Sequence, residues 1–337
     1  MSEQLLLEDD QYIYRFVSFY ELYQLHKEHL LKLTLLAVQE DKNEGVGATL
    51  RFAAPEWAGL YRAADKVSQQ HTYAVHNMYI TCWTTDPESV AMWLLYSPGK
   101  DGVRVRTTVG KLKSVLSAYE EANSWTKHCG YTDGTDLLTW GWDIKQVEYA
   151  DLDQLLEEIN SAYADFKLSC SEAAAGNPEW WTNKEGFLER FPKFIDEFRS
   201  RFGLNEFVKD SGFAHEKELR GVVRAGIRNS LEYDAWRNDD DPMRMLFRGA
   251  EPGVLPEFTF APVGDEFIDE LCFDPRMPEY KREVMMDALS PLVIPAVESR
   301  CFSSLVDKKL RFDPMDGISL DVAAQQGAAA DAEKRRG

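Results

Sequence analysis

Two glutamates and an arginine alternate within an apolar segment near residue 220. Glu216, Glu218 and Arg220 are followed by a pair of valines, a composition that predicts a β-strand over 215–225. Alternate side chains of a strand point to one face, so the two carboxylates are expected about 7 Å apart. One acid of such a pair can hold a substrate hydroxyl while the other positions or deprotonates a nucleophile. A solvent-facing strand with an internal ion pair is the structural alternative.

Arg15 is the second candidate, because it is the one charged residue in a strongly apolar stretch. Residues 12–19 are Tyr-Ile-Tyr-Arg-Phe-Val-Ser-Phe, which predicts a β-strand. A charge in such a strand requires a partner or a ligand, and a planar guanidinium suits a phosphate. Its neighbour Tyr14 belongs to the same candidate site. The structural alternative is a salt bridge to an acid such as Glu218.

A third group of candidates surrounds the next predicted strand, 77–84. This strand contributes the hydroxyls of Thr81 and Thr84, and the helix predicted after it carries Trp93 and Tyr96. The sequence Asp-Pro-Glu-Ser at 86–89 has the composition of a helix start, with Asp86 as the cap and Pro87 in the first turn. Aromatic residues in such numbers usually pack in a core, but they can also stack on a flat heterocycle next to the arginine.

Several well-known site signatures are absent from the sequence. There is no Gly-x-Gly-x-x-Gly after a strand, no phosphate-binding Gly-Lys-Ser/Thr loop and no Gly-x-Ser-x-Gly turn. The six histidines do not have the spacing of a zinc site. The acidic run 239–241 suits a solvated loop better than a cation site. We therefore predict no metal centre.

The remaining pattern predicts an α+β fold, with a mixed or antiparallel central sheet and a helical insertion. A helix is predicted over 20–37, a strict apolar–polar alternation predicts a strand over 103–108, and 152–205 is mainly helical. Further strands are predicted at 144–149 and 268–273, and further helices at 111–122 and 279–289. We predict one domain over 1–321 and a mobile tail over 322–337, which is rich in alanine and charge.

Charge is the unusual feature of the composition. The 337 residues include 38 basic and 57 acidic side chains, a formal net charge of −19. Such a field repels bulk nucleic acid and anionic membrane surfaces. Five scattered cysteines form no disulfide pattern. No signal peptide or membrane-spanning run is recognised, so we expect a cytoplasmic protein without membrane association.

The residues also resemble a known family, the bacterial proteins grouped as domain of unknown function 2971. Six pieces carry this resemblance, at 12–16, 41–45, 79–83, 88–96, 102–108 and 213–220. The resemblance spans roughly 12–305, and it implies a bacterial cytoplasmic protein without implying any particular chemistry. In the loop 40–44 many members resemble Asn-Asp-Pro-x-Glu, whereas this chain has Glu-Asp-Lys-Asn-Glu, so only Glu44 carries over.

A second similarity concerns mono-ADP-ribosyltransferases, and it implies their fold and their use of NAD. Their motif order is an arginine on the first strand, Ser/Thr-x-Ser/Thr on a later strand and Glu-x-Glu near the end. Carried over, Arg15 holds a phosphate of NAD, Glu218 grips the nicotinamide ribose and Glu216 orients the acceptor. The sequence Thr-Cys-Trp-Thr at 81–84 departs from the middle motif.

Three functional hypotheses follow from these residues. The first is an NAD-consuming ADP-ribosyltransferase or NAD glycohydrolase, acting on an unknown acceptor as a toxin or phage-defence effector. In it, Trp93 or Tyr96 stacks on the nicotinamide, and Tyr14, Thr81, Thr84 and Arg220 complete the site. The second is a non-enzymatic partner-binding or sensor module of a bacterial defence or toxin–antitoxin system, with a protein partner or antitoxin and a buried ion network. The third, a metal-dependent nuclease using Asp41, Glu44, Glu216 and Glu218, is disfavoured by the charge of −19.

Overall fold

The computed structural model describes residues 7–41, 43–47, 75–124, 137–176, 201–202, 205–227, 255–290 and 294–302. Within it, the chain up to Cys301 forms one compact unit. The predicted tail at 322–337 and the acidic run at 239–241 lie outside the described residues.

Strands and helices mix along the chain, and this confirms the predicted α+β class. The strands are β1 (Tyr12–Ser18), β2 (Leu30–Leu35), β3 (Met78–Thr84), β4 (Gly102–Thr108), β5 (Leu137–Gln146), β6 (Glu148–Ala150), β7 (Val208–Asp210), β8 (Glu218–Ile227), β9 (Phe258–Pro262), β10 (Glu270–Phe273) and β11 (Ala296–Val297). The α-helices are α1 (Phe19–Lys27), α2 (Val90–Tyr96), α3 (Val109–Asn123), α4 (Leu152–Gly176) and α5 (Glu279–Ala288). Short 3₁₀ helices span Leu36–Val38 and Ser211–Glu216.

Nine strands in the described part of the chain form a mixed, largely antiparallel sheet with β3 at its centre. The order is β11-β10-β4-β1-β3-β2-β9, and β8 pairs with β3 and with β5. All pairings in this sheet are antiparallel except that of β10 with β11. Strands β6 and β7 form a separate parallel pair. The predicted sheet type is therefore confirmed.

Two different strands, β1 and β2, pair with the same edge of β3, which we call the divided edge. Strand β8 pairs with the whole length of β3, from Met78 to Thr84. The opposite edge is shared, because β1 reaches only Thr84 and β2 reaches only Tyr79 and Ile80. Between these contacts, 81–83 have no registered partner on that edge among the described strands. Strands β1 and β2 must diverge there, which leaves room for side chains and for a ligand.

The two faces of β3 and β8 have different chemistry. On one face, Trp83 and Leu219 belong to the main apolar core, which also contains residues of α1 and α3. The register places Cys82 opposite Arg220, and Thr84 opposite Glu218, on the other face. Alternation along each strand thus sends every second side chain into the main core, while on the other face Met78, Ile80 and Val222 form a second apolar cluster beside these polar pairs.

Two of the predicted elements are wrong. The helix predicted over 20–37 ends at Lys27, where His29 adopts a left-handed backbone with φ 55°. The chain then forms β2, in which Leu31, Leu33 and Leu35 are buried alternately. The strand predicted over 215–225 begins at Glu218 instead, after a 3₁₀ helix that contains Glu216.

The start of α2 also differs from the sequence prediction. Ser89 caps this helix by accepting a hydrogen bond from the Met92 backbone N–H, whereas Asp86 lies before the helix. Asp86 instead accepts a bond from the backbone N–H of Glu88 and pairs with Lys217 at 2.9 Å. Its pKa is lowered, chiefly by the hydrogen bond from Lys217. The cap therefore lies three residues further along than the Asp-Pro pair indicated.

Candidate functional site

A cavity of about 200 Å³ lies at the divided edge of the sheet. Strands β1, β2 and β3 all contribute to its walls, as do α1, α2 and the segments around β7 and β8. The lining residues are Tyr14, Arg15, Phe16, Glu21, Thr34, Gln39, Glu44, Ile80, Cys82, Trp83, Thr84, Met92, Tyr96, Lys209, Glu216 and Glu218. Six of the nine site residues predicted from the sequence meet here: Tyr14, Arg15, Thr84, Tyr96, Glu216 and Glu218.

Glu218 and Arg220 form a buried pair at the floor of the cavity. The Arg220 Nε donates to Glu218 Oε1 at 2.7 Å, and Nη2 donates to Oε2 at 3.1 Å. The exposed fraction is 2% for Glu218 and 0% for Arg220. Burial on its own would raise the pKa of Glu218, but the Arg220 charge and its hydrogen bonds outweigh burial and lower the pKa to about 2. Glu218 is therefore ionised over the whole physiological pH range.

Lys209, which the sequence prediction missed, joins three carboxylates in the same place. Its ammonium lies 3.0 Å from Glu44, 2.8 Å from Glu216 and 3.4 Å from Glu218. Burial opposes charge on Lys209, but Glu218, Glu44 and Glu216 together raise its pKa above the ordinary value. Arg220 also contacts Glu44, at 2.9 Å. The five charged groups form one network, which we call the ion cluster: Glu44, Lys209, Glu216, Glu218 and Arg220.

Glu216 reaches the cluster in a different way from that predicted. It is the last residue of the 3₁₀ helix, and Lys217 after it has a left-handed backbone with φ 45°. Glu216 thus shares the cavity with Glu218 because the chain turns, not because the two alternate on one strand. Its carboxylate accepts hydrogen bonds from the Tyr96 hydroxyl at 2.9 Å and from Lys209 at 2.8 Å.

Arg15 crosses the gap between the diverging strands. It donates to the Thr81 hydroxyl at 2.8 Å, and its other terminal nitrogen pairs with Glu21 at 2.7 Å. The guanidinium carbon lies 5.9 Å from the centre of the Trp83 ring. Arg15 therefore makes the salt bridge of the structural alternative, and its acid is Glu21 of α1 instead of the example given, Glu218.

Three predicted site residues do not line the cavity. Trp93 has no exposed surface and packs with Phe16 and Met92, its ring edge-on to Phe16 at 4.7 Å. This placement assigns Trp93 to the core and leaves Tyr96 as the aromatic residue of α2 that reaches the cavity. Thr81 and Arg220 are buried behind the wall. They position Arg15 and Glu218, respectively, through hydrogen bonds.

A signal in the sequence could have revealed Lys209. It follows Phe207 and Val208, so it is a lone cation beside apolar residues, the same signal that singled out Arg15. Glu21 gave no such signal, because it lies on an amphipathic helix where an acid is ordinary. Cys82 was visible only as a departure from a motif, yet it lines the cavity.

Among the described residues, the cavity lining has more carboxylates than cations. It contains four carboxylates and two cations, a formal net charge of −2. Burial, followed by the charge of Glu216, raises the pKa of Tyr96. Burial, followed by the charge of Glu218, likewise raises the pKa of Cys82. Both groups stay protonated at neutral pH, so Tyr96 acts as a hydrogen-bond donor and Cys82 is an unreactive thiol.

Comparison with known proteins shows that a segment of the chain is similar to one family. Residues 92–221 match the model of a family described as "Protein of unknown function (DUF2971)". The predicted resemblance to DUF2971 is confirmed over 92–221, and the remainder of the predicted span of roughly 12–305 stays a prediction. The matched segment includes Tyr96, Lys209, Glu216, Glu218 and Arg220, whereas Arg15 and Glu44 precede it. Neither the curated proteins nor the solved structures include a significant match to the chain.

Two further properties concern the described residues only. None of their helices is long and apolar enough to cross a membrane. In the same part of the chain, no group of three or more His, Cys, Asp or Glu side chains has the arrangement of a metal site. The carboxylates of the ion cluster form their ion pairs with Lys209 and Arg220, which are cations of the protein itself.

Proposed function

We propose that the cavity binds NAD and that the protein cleaves its N-glycosidic bond, as an ADP-ribosyltransferase or an NAD glycohydrolase. One observation carries this proposal. Arg15 from β1, Thr84 from β3 and Glu218 from β8 converge on a single cavity at the divided edge of the sheet. A hydroxyl and a carboxylate in one cavity suit a ribose and the positive charge that develops at its anomeric carbon, and Arg15 lies beside them, paired with Glu21.

The chemistry of the cavity suits this bond. Cleavage breaks the bond between ribose C1′ and the ring nitrogen, and the electron pair leaves with neutral nicotinamide. Positive charge then develops on the ribosyl group until water or an acceptor nucleophile attacks C1′ and loses a proton. A cavity with a net charge of −2 stabilises that charge more strongly in the transition state than in the ground state.

Glu216 is the carboxylate best placed to act on substrate. Glu218 uses both oxygens on Arg220, whereas Glu216 is held by the Tyr96 hydroxyl and by one lysine. Tyr96 is half-exposed, so this pair lies on the solvent side of the ion cluster. In the proposed mechanism Glu216 faces the ribose, while Glu218 fixes the charge behind it.

The test is nicotinamide release from NAD by the purified protein. We expect wild-type turnover and a loss of about a hundredfold in Glu216→Gln, the usual effect of removing one electrostatic contact to a transition state. Glu283→Gln is the matched control, since Glu283 is exposed on α5. Wild-type protein that releases no nicotinamide, with or without candidate acceptors, would refute the proposal.

A sensor or partner-binding role is the second candidate, and one observation favours it. Leu94 and Leu95 of α2 are more than half exposed directly beside Tyr96. An apolar surface at the mouth of a cavity suits contact with another protein, as a defence effector or an antitoxin-controlled toxin requires. The enzyme assay separates the two roles, because a sensor that binds NAD without turnover leaves nicotinamide unreleased.

A further inference from the structure

The walls of the cavity combine carboxylates with aromatic rings. Four carboxylates line it, those of Glu21, Glu44, Glu216 and Glu218. Four aromatic rings line it as well, those of Tyr14, Phe16, Trp83 and Tyr96. Carboxylates and aromatic ring faces both attract organic cations, the rings through their quadrupole.

Two of these rings already face guanidinium groups of the protein. Arg15 lies 5.9 Å from the centre of the Trp83 ring, and Arg104 lies 5.1 Å from the centre of the Tyr14 ring. The rings of Trp83 and Tyr14 thus already contact planar cations of the chain, and of these two cations Arg15 lines the cavity and Arg104 does not. Tyr96, by contrast, is half-exposed and presents its ring at the mouth of the cavity.

The protein's own cations leave the cavity negative. Arg15 is neutralised by Glu21, and Lys209 is shared among Glu44, Glu216 and Glu218. Counting the buried Arg220 with the lining still leaves a formal net charge of −1. No cation in the lining is left to hold a diphosphate, whereas a positive charge on the ligand would neutralise the cavity.

The size of the cavity limits what enters it. Its volume of about 200 Å³ corresponds to about seven water molecules at ~30 Å³ each. Pockets that enclose whole drug-sized ligands usually measure about 300–1,000 Å³. A single substituted aromatic ring fits this space, so a dinucleotide enters it by its nicotinamide end alone.

We infer that the cavity recognises one quaternised aromatic ring, a small organic cation, through its aromatic and carboxylate walls. The inference rests on the proposed function in one respect, the choice of this cavity as the ligand site. The nicotinamide ring of NAD is such a cation. Recognition through the ring charge means that the adenylate half stays outside the cavity and contributes little. Truncated nicotinamide riboside should therefore react with a kcat/KM within about tenfold of that for NAD.

The direct test compares two ligands of nearly the same size, one of which is charged and the other neutral. Calorimetric titration of the full chain uses 1-methylnicotinamide, which is a cation, and nicotinamide, which is neutral. We expect the cation to bind at least tenfold more tightly. Equal affinities, tighter binding of the neutral ring, or no binding of the cation up to millimolar concentration would each overturn the inference.

Variants locate the binding to the cavity walls. Glu216→Gln and Tyr96→Leu should each weaken 1-methylnicotinamide binding about tenfold or more, while the control Tyr280→Leu on the exposed face of α5 should not. Unchanged affinity in both cavity variants would place the cation elsewhere and refute the inference. Because Glu216 belongs to the ion cluster, Tyr96→Leu keeps the test valid if Glu216→Gln folds poorly.

The outcomes separate this inference from the proposed function. Selective binding of 1-methylnicotinamide without nicotinamide release from NAD supports the cation site and refutes the enzyme. Nicotinamide release without selectivity for the cation supports the enzyme and refutes the cation site.

Discussion

Glu218 holds Arg220 with both carboxylate oxygens, in a position where Arg220 has no exposed surface. Glu218→Gln keeps the shape but removes the charge, so the buried guanidinium loses its main partner. Removing one member of a buried pair typically costs about 3–5 kcal/mol. With ~2–4 °C per kcal/mol for a domain of this size, we expect the melting temperature to fall by roughly 6 °C or more. Differential scanning calorimetry measures this shift.

The same substitution at the exposed Glu283 is the control, and it should leave the melting temperature unchanged. A Glu218→Gln variant as stable as wild type would mean that the pair contributes nothing to folding. Loss of turnover in Glu218→Gln would then be purely catalytic. If the variant does melt early, its low turnover carries no information, and Glu216 and Tyr96 are the residues on which catalysis is tested.

The low pKa of Glu218 predicts how stability depends on pH. In the unfolded chain a glutamate has a pKa near 4.3, whereas in the folded protein the pKa of Glu218 is about 2. The unfolded state therefore binds more protons between these values, so the free energy of unfolding decreases as pH falls from about 5 to about 2. Urea unfolding at successive pH values measures this slope. Glu218→Gln should have a shallower slope than wild type, and equal slopes would contradict the assignment.

How far the site could be predicted depended on how unusual each residue is in its own segment. Arg15 and Glu218 were found because a charge in an apolar strand requires a partner. The partners themselves were not found, since Glu21 lies on an ordinary amphipathic helix and Lys209 on a strand of three residues. Pairing depends on which strands become neighbours, and that information is not local.

At the level of elements, α3 packs closely on the sheet because Gly221 has no side chain. A Cβ at this position would lie 2.9 Å from Leu116 of α3 and 2.9 Å from Thr81 of β3. Gly221→Val adds three carbon atoms where there is no room, so the helix or the strand must shift. We expect a loss of about 1–3 kcal/mol, the usual cost of overpacking a core. Urea unfolding measures this loss.

Gly264 offers a matched control, because a Cβ there would meet nothing within 4 Å. Gly264→Val should change the free energy of unfolding by less than about 0.5 kcal/mol, as exposed substitutions usually do. Since Thr81 also binds Arg15, the shift in Gly221→Val should reach the cavity and weaken ligand binding as well. A Gly221→Val protein as stable as Gly264→Val would show that α3 is loosely packed.

The elements predicted wrongly share a physical cause. Residues 30–35 are Leu-Leu-Lys-Leu-Thr-Leu, and the leucines continue the helical spacing of α1. The alternation of Leu31, Leu33 and Leu35 with polar residues predicts a strand instead. The segment forms that strand because it pairs with β3 and β9. Tertiary pairing overrides local propensity in short segments of this kind. Strands β1, β3 and β4 were predicted nearly to the residue, because aromatic and β-branched residues dominate them.

The molecule as a whole combines a net charge of −19 with an ion cluster that is itself shielded from solvent. The α+β class followed from composition and periodicity, but the location of the cavity did not. It arises where β1 and β2 share one edge of β3, and β1 and β3 are separated by the 59 residues 19–77. Sequence patterns specify each strand, whereas the division of the sheet depends on their order in space.

The net charge predicts that salt stabilises the protein. Repulsion among surface acids destabilises the compact state, and salt screens it, since the Debye length falls from about 10 Å at 0.1 M to about 3 Å at 1 M. At neutral pH the melting temperature should therefore rise by a few degrees over this range of NaCl. At pH 4.8, the isoelectric point, the net charge vanishes and the rise should disappear. Buried pairs are screened much less, so the difference in melting temperature between wild type and Glu218→Gln should be the same at both salt concentrations. A difference that shrinks in high salt would mean that water reaches the ion cluster.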